Sequence, residues 1–168
     1  GGEPTKYHPI KHIPKIGNPK FVGRQDELIE IHKELCEKEN NIVAISAVAG
    51  MGGIGKTELA IKYAHQHEND YAGGVCWFNA IDGNLAAEII QFAQNYLKLK
   101  VPQKDIQENP LNLEQQIAWC WQNWQPSQGL VLVVFDDVND KENWSAYLPK
   151  SSHFRVLITT RLQKFDIN

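Results

Sequence analysis

Strand-length apolar runs alternate with amphipathic stretches along most of the chain. The apolar runs are rich in β-branched and aromatic residues and cover residues 42–48, 75–79, 130–135 and 154–159. Between them, apolar residues at helical spacing predict helices over about residues 25–38, 55–67, 84–97 and 112–124. Strands that alternate with helices predict an α/β fold with a parallel sheet.

Two of the predicted helices have start signals in the sequence. Asn84 is expected to cap the third helix, and Asn112 with Gln115 forms a capping-box pattern at the start of the fourth. On that fourth helix, Trp121 and Trp124 recur at helical spacing, so we expect both indoles in the core.

Prolines mark the beginning of the chain. They recur every fifth residue, at Pro4, Pro9, Pro14 and Pro19, in a stretch that also carries several lysines. Prolines at this density prevent a helix and favour an extended, semi-rigid segment. We therefore expect a Pro-rich linker or arm over residues 1–19 and one folded domain over residues 20–168; a docking site for an acidic partner is the alternative reading of the arm.

Charge and composition narrow the classes of function. The 168 residues carry a net charge of -3, which argues against a nucleic-acid binder that relies on bulk charge. No apolar run is long enough to span a bilayer, so no membrane partner is expected. The three cysteines lack metal-ligand spacing, and His65 and His67 point apart on their predicted helix. Free thiols fit a reducing compartment, and we expect a cytoplasmic protein.

The glycine-rich stretch SAVAGMGGIGKTELA, residues 46–60, is the strongest ligand-binding motif in the sequence. It fits both the dinucleotide fingerprint G-x-G-x-x-G and the phosphate loop G-x-x-x-x-G-K-[ST]. The dinucleotide reading needs an acidic residue about 20 positions on, whereas Asp82 comes about thirty residues later. Lys56-Thr57 suits a triphosphate, so the stretch is interpreted as a P-loop. Its predicted phosphate contacts are Gly50, Gly52, Gly53, Ile54, Gly55, Lys56 and Thr57.

Each part of a P-loop has its own task. Backbone N–H groups from Gly52 to Thr57 wrap the β-phosphate, because the glycines permit the conformations of an anion nest. Lys56 reaches the β- and γ-phosphates, and the Thr57 hydroxyl ligates Mg²⁺.

A second acidic site is expected with a P-loop, and the segment LVLVVFDDVND supplies it. Asp136 ends an apolar strand and is the candidate to hold Mg²⁺ through water. Asp137 follows and is the candidate to orient or deprotonate a water. The base reader Asn-Lys-x-Asp of GTPases and the LSGGQ signature of transporter ATPases do not occur, which favours ADP or ATP as the nucleotide.

Several segments together resemble the NB-ARC nucleotide-binding domain of the STAND class of signalling ATPases, found in plant resistance proteins, apoptotic-protease activators and bacterial regulators. The matching segments keep the family's order and are FVGRQDEL (21–28), AGMGGIGKTELA (49–60), VCWFNA (75–80), LVLVVFDDVND (130–140) and FRVLITTR (154–161). The resemblance implies a three-layer αβα fold with a sheet of the additional-strand type. There the 154–159 strand lies between the P-loop strand and the Asp136 strand.

The same resemblance assigns further site residues. It places Phe21, Val22 and Pro19 against the adenine, with Arg24 nearby. Arg161 becomes the sensor arginine beside the γ-phosphate, and Thr159 or Thr160 adds a hydroxyl.

Two departures from the family pattern stand out. Glu58 replaces a frequent threonine and is expected to contribute only its backbone N–H to the phosphates. The chain stops at Asn168, before the helical and winged-helix parts of the family, which predicts a truncated domain.

The resemblance favours a nucleotide-dependent switch with slow hydrolysis, attached to effector and sensor domains and self-associating when activated. An AAA+-type motor ATPase is the alternative, and Asp137 argues against it because such motors usually carry Glu there. A small-molecule kinase is a third reading, without an acceptor-site or lid signature.

Overall fold

The computed structural model describes residues 10–15, 24–38, 41–45, 53–124, 126 and 128–161, with Gly53 and Ile54 described by their backbone alone. The elements follow one another as α1 (Gln25–His32), a π-helical turn (Lys33–Glu37), β1 (Ile42–Ile45), α2 (Gly53–Gln66), a 3-10 helix (Glu68–Asp70), β2 (Gly74–Asn79), α3 (Leu85–Asn95), α4 (Leu113–Asn123), β3 (Val131–Val138), a second 3-10 helix (Trp144–Tyr147) and β4 (Phe154–Thr160). The predicted alternation of strands and helices is confirmed.

The sheet is parallel throughout, and its four strands lie in the order β1-β4-β3-β2. β4 therefore lies between β1 and β3, which confirms the expected additional-strand arrangement. Ile45 lies opposite Thr159, and Asn79 lies opposite Asp136. The carboxyl ends of neighbouring strands thus meet along one edge, where α/β sheets bind their ligands.

Helices cover both faces of the sheet. Val131, Val133 and Phe135 pack with α3 and α4 on one face, whereas Leu132 and Val134 pack with α1 and α2 on the other. All five side chains are fully buried. A strand covered on both faces must be apolar at every position, which explains the unbroken apolar run of the sequence.

The faces of the helices match the periodicity of the sequence. Leu59, Ala60 and Tyr63 of α2 are at most 1% exposed. Trp121 and Trp124 are buried as predicted, and the Trp121 indole satisfies its N–H by donating to Tyr147 O at 2.8 Å. Within the described part of the chain, no helix has the length and apolar character to cross a membrane.

Part of the proline-rich arm lies along β2. The Val75 N–H donates to Ile10 O at 2.6 Å, and the His12 N–H donates to Val75 O at 2.9 Å. Gly74 has φ +122° at this contact, and a Cβ atom there would lie 2.8 Å from Ile10 O. Only glycine fits so close a backbone approach. The predicted boundary between residues 19 and 20 stays a prediction.

The helix starts show one success and one error of the sequence analysis. Asn112 accepts from the Gln115 N–H, and Gln115 Oε1 accepts from the Asn112 N–H, both at 2.9 Å, so the capping box is confirmed. Asn84 precedes α3, but its side chain accepts no capping bond. Glu142 instead accepts from the Leu85 N–H at 2.8 Å. The cap comes from a residue distant in sequence.

Replacing Asn112 by Ala removes the acceptor for the Gln115 N–H, and we expect the free energy of unfolding to fall by about 1 kcal/mol. Asn84→Ala is the matched control, expected to change it by less than about 0.5 kcal/mol because no capping bond is lost. Urea denaturation followed by circular dichroism measures both. Equal losses in the two variants would contradict the assignment of the caps.

Candidate functional site

Side chains from α2, β3 and β4 meet at the carboxyl edge of the sheet. Lys56 and Thr57 lie in the first turns of α2, Asp136 lies near the end of β3, and Thr159 and Thr160 end β4. The parallel sheet aligns the two strand ends, and α2 runs back from the same edge. The structure thus brings together three of the residues singled out from the sequence, Lys56, Thr57 and Asp136.

Lys56 is buried at this edge and is 3% exposed. Its ammonium group donates to the carbonyl oxygen of Thr160 at 2.6 Å. A carbonyl oxygen accepts the hydrogen bond but has no net charge, so the positive charge stays available to an anion. The first turn of α2 adds amide N–H groups that no preceding turn can pair, together with the positive end of the helix dipole.

One carboxylate oxygen of Asp136 accepts hydrogen bonds from two hydroxyl groups. The Thr57 hydroxyl donates to Oδ1 at 2.9 Å and the Thr159 hydroxyl donates to the same atom at 2.6 Å. Asp136 is 7% exposed. Burial raises the pKa of Asp136 above its ordinary value, and the Thr159 and Thr57 hydrogen bonds oppose that shift. An ionised carboxylate in this position therefore gains from a neighbouring cation.

The Thr57–Asp136 pair fits a magnesium ion. Mg²⁺ prefers oxygen ligands. Thr57 Oγ1 and Asp136 Oδ1 lie side by side because a hydrogen bond of 2.9 Å joins them. Both are hard oxygen donors, as this ion requires.

A β-bulge shapes the end of β3. The register between β3 and β4 shifts between Phe135 and Val138, and Asp137 takes a left-handed φ of 62°. Its N–H donates to Thr159 Oγ1 at 2.8 Å. Bulges beside sites re-aim side chains, and backbone strain of this kind concentrates at functional positions. Thr159 therefore fixes both aspartates, since its hydroxyl accepts from the Asp137 backbone and donates to Asp136.

The two threonines at the end of β4 join this strand to β3 through their side chains, a role not predicted from the sequence. Thr160 Oγ1 donates to Val138 O at 2.8 Å, so both hydroxyls bind β3. The family resemblance assigns Thr159 or Thr160 only a hydroxyl beside the γ-phosphate. The pairing of β3 with β4 in the predicted sheet is the signal that would have placed them beside Asp136.

Arg24 and Arg161 lie outside this hydrogen-bonded cluster as the structure describes it. Arg161 directly follows β4, and its side chain is exposed. Arg24 precedes α1 with φ 65°, and its guanidinium donates to Glu27 Oε1 at 3.2 Å. Their predicted contacts with the nucleotide stay predictions.

The remaining predicted site residues fall into two groups. Gly53, Ile54, Gly55 and Glu58 belong to the first turns of α2, and Gly55 and Glu58 are half-buried. Five predicted contacts lie outside the described residues: Pro19, Phe21, Val22, Gly50 and Gly52. The roles of both groups stay predictions.

Comparison with known proteins gives a family match and several relatives. A family profile described as the NB-ARC domain matches residues 24–166. The regulatory protein AfsR of Streptomyces griseus is 28% identical over 151 residues, which cover 89% of this chain and 15% of the relative. The disease resistance protein RPP8 of Arabidopsis thaliana is 28% identical over 162 residues, covering 92% of this chain and 17% of the relative.

A third relative also matches this chain over a small part of its own length. The nucleotide-binding leucine-rich repeat (NLR)-like protein of Hyaloscypha variabilis is 26% identical over 179 residues, covering 95% of this chain and 18% of the relative. This chain therefore spans less than a fifth of the length of these relatives. The matched region is a nucleotide-binding domain that occurs within much longer proteins.

We expect Asp136→Asn to raise the free energy of unfolding at pH 7, in buffer without Mg²⁺ and nucleotide. Asparagine still accepts from both hydroxyls but carries no buried charge. Burial raises the pKa of Asp136 in the folded protein. The Asp136 carboxyl therefore makes its full contribution to the free energy of unfolding below its unfolded-state pKa of 3.8, and this contribution is lost as pH rises through its folded-state pKa. The advantage of the variant should therefore shrink as pH is lowered towards 4.

Urea unfolding at several pH values measures this difference. Asp82→Asn, at an exposed position, serves as the control for loss of one negative charge. An Asp136→Asn variant less stable than the wild type at pH 7 would show that the carboxylate itself holds the edge together.

Proposed function

The chain belongs to the NB-ARC domain family, and from this membership we propose that it is an adenine-nucleotide switch module of a larger signalling ATPase. The observation that carries the proposal is the convergence of Lys56, Thr57 and Asp136 at one edge of the sheet. In the proposed cycle ADP keeps the intact protein inactive, and exchange for ATP permits self-association. Slow hydrolysis returns the protein to its ADP form.

Phosphate binding is the task proposed for the glycine-rich loop and the start of α2. Backbone N–H groups from Gly52 to Thr57 surround the β-phosphate, with Gly50 at the beginning of the loop and Ile54 contributing only its backbone. Glu58 lies in the first turns of α2, where the helix dipole favours a carboxylate by about 0.3–1 kcal/mol. Its side chain turns away from the phosphates, and its N–H extends the row of donors.

Lys56 connects the phosphates to β4. Its ammonium donates to Thr160 O at 2.6 Å, and with nucleotide present it would donate instead to β- and γ-phosphate oxygens. A charged acceptor makes the stronger hydrogen bond, so the exchange is favourable. The exchange changes the hydrogen bonding of Thr160, which directly precedes Arg161. The proposed sensor arginine therefore follows the residue whose partner depends on the nucleotide.

Thr57 is the proposed direct ligand of Mg²⁺, and Asp136 is proposed to hold the ion through water. When bound, the ion neutralises charge on the phosphates and polarises them. The side chains contribute a hydroxyl and a carboxylate oxygen, 2.9 Å apart. Thr159 keeps Asp136 oriented through its own bond to Oδ1.

Asp137 and Arg161 are the residues proposed for the hydrolytic step. The Asp137 backbone is fixed by Thr159, and its half-buried side chain is the candidate to orient or deprotonate the attacking water. Arg161 presents a planar fork of donors that suits phosphate oxygens. Both roles concern the γ-phosphate, so they bear on hydrolysis and on telling ATP from ADP.

Adenine recognition is proposed for the segment before α1. Phe21 and Val22 would cover the flat face of the ring, with Pro19 beside them and Arg24 nearby. Flat apolar rings bind best to apolar side chains, with few polar groups to fix their orientation.

The output of the switch lies in the rest of the protein. The names of the relatives describe a regulatory protein and a disease resistance protein, and this chain spans less than a fifth of each. We therefore propose attached effector and sensor parts and self-association of the activated full-length protein. A cytoplasmic location fits the same proposal.

Lys56→Met should weaken binding of Mg-ADP by at least about 100-fold, because a charge-assisted hydrogen bond is lost from a buried phosphate site. Methionine retains most of the apolar stem, and thermal unfolding checks that the variant is folded. Isothermal titration calorimetry measures both proteins. Lys62→Met, on the same helix, is the matched control and should bind as the wild type does. Equal affinity of Lys56→Met and wild type would overturn the phosphate-loop assignment.

Steady-state hydrolysis distinguishes the switch from the alternative, a motor ATPase of AAA+ type. We expect turnover well below 1 s⁻¹ for the switch, whereas turnover of about 1–10 s⁻¹ is ordinary for an enzyme. Phosphate release with Mg-ATP measures the rate, and Asp137→Asn controls for a contaminating ATPase. Turnover in the enzymatic range that Asp137→Asn abolishes would favour the motor.

A further inference from the structure

Two histidines and an aspartate meet at the far end of α2 from the phosphate loop. His32 is the last residue of α1, His67 directly follows α2, and Asp70 ends the short helix after it. His67 comes eleven positions after Lys56, which at the rise of an α-helix corresponds to about 16 Å. The cluster is therefore distinct from the site proposed to bind nucleotide.

The cluster places potential ligand atoms close together. One ligand atom from each of the three residues lies within 4.8 Å of the other two. The imidazole rings of His32 and His67 are stacked, with centroids 4.0 Å apart and planes inclined by 14°. His67 Nδ1 lies 2.9 Å from Asp70 Oδ2. Neighbouring ligands in a tetrahedral zinc site are about 3.3 Å apart. The lone pairs of nearly parallel rings do not converge, so one imidazole has to rotate out of the stack for both rings to bind one ion.

A hydrogen bond to a buried tyrosine orients the ring of His32. Its Nδ1 forms a hydrogen bond of 3.1 Å with the Tyr63 hydroxyl, which lies 2.5 Å from the Tyr71 hydroxyl. With Nδ1 donating to Tyr63, the lone pair of His32 is on Nε2, the nitrogen left for a metal. Histidine ligands in metal sites are commonly oriented by such a partner on the other ring nitrogen.

The exposure of the three side chains suits an ion that enters from solvent. His32 and His67 are half-buried, whereas the Asp70 side chain is 54% exposed. Asp70 can therefore turn an oxygen towards an ion without disturbing the packing around Tyr63. Imidazole nitrogen with one carboxylate is a donor set typical of zinc rather than of magnesium or calcium, which prefer oxygen alone.

We propose that His32, His67 and Asp70 form a binding site for a divalent transition-metal ion, with Zn²⁺ the best match to the donors. Three protein ligands leave a fourth position for water. The ion joins the end of α1 to the end of α2, the helix that carries Lys56 and Thr57 at its other end. Its binding therefore stabilises the packing of these two helices on the sheet.

The test uses the 168-residue chain, free of any polyhistidine tag and treated with EDTA, then titrated with ZnCl₂ by calorimetry. We expect one ion per chain with micromolar or tighter affinity. His67→Gln and Asp70→Asn should each weaken binding at least tenfold. His65→Gln is the matched control: it lies two residues earlier in α2, and its ring binds Pro14 O at 2.7 Å instead. It should bind zinc as the wild type does.

Thermal unfolding gives a second readout. Zn²⁺ at 100 times its dissociation constant should raise the melting temperature of the wild type and of His65→Gln by roughly 5–10 °C. The rise in melting temperature should be lost in Asp70→Asn. Because Asp70 is exposed, this variant should fold normally, and it keeps the test decisive if His67→Gln proves unstable. Absence of zinc binding by the wild type would overturn the proposal. So would equal affinity of Asp70→Asn and wild type, or equal weakening by His65→Gln and His67→Gln.

Discussion

The buried carboxylate of Asp136 joins the three elements that form the candidate nucleotide site. One of its oxygens accepts hydroxyl hydrogen bonds from Thr57 of α2 and from Thr159 of β4. The carboxylate itself belongs to β3, so a single atom links a helix and two strands. Burial of an acidic group opposes its ionisation, and two donated hydrogen bonds offset only part of that effect. The three elements thus meet at a group whose charge is best satisfied by a cation.

Positive and negative groups are kept apart at this edge. The Lys56 ammonium binds a carbonyl of β4, while the Asp136 carboxylate is bound by hydroxyls. A direct ion pair would neutralise both charges within the protein. The observed arrangement instead leaves a cation suited to phosphate and an anion suited to a metal ion in adjacent positions. The bulge at Asp137 contributes, because it lets one threonine hold both acidic residues.

Features that depend on local interactions, or on the periodic spacing of buried residues, could be predicted from the sequence. The capping box of Asn112 and Gln115 spans one helical turn, and the apolar run of β3 reflects burial on both faces. The strand order came from the resemblance to a known family, since periodicity alone does not order strands. Contacts between distant residues were missed. Glu142 replaces Asn84 as the cap of α3, and His67, which follows α2, stacks on His32 at the end of α1. Neither has a signal in the local sequence.

The position of β4 has a consequence for how this chain acquires its structure during synthesis. The strand leading to the phosphate loop forms its sheet contacts with β4, and Lys56 binds a residue 104 positions later. A ribosome must therefore deliver the chain as far as β4 before β1 gains the neighbour that it has in the described part of the sheet. High contact order of this kind slows folding, because a long loop must close before the contact forms. β2 and β3 can pair earlier, so the nascent domain completes its ligand-binding edge last.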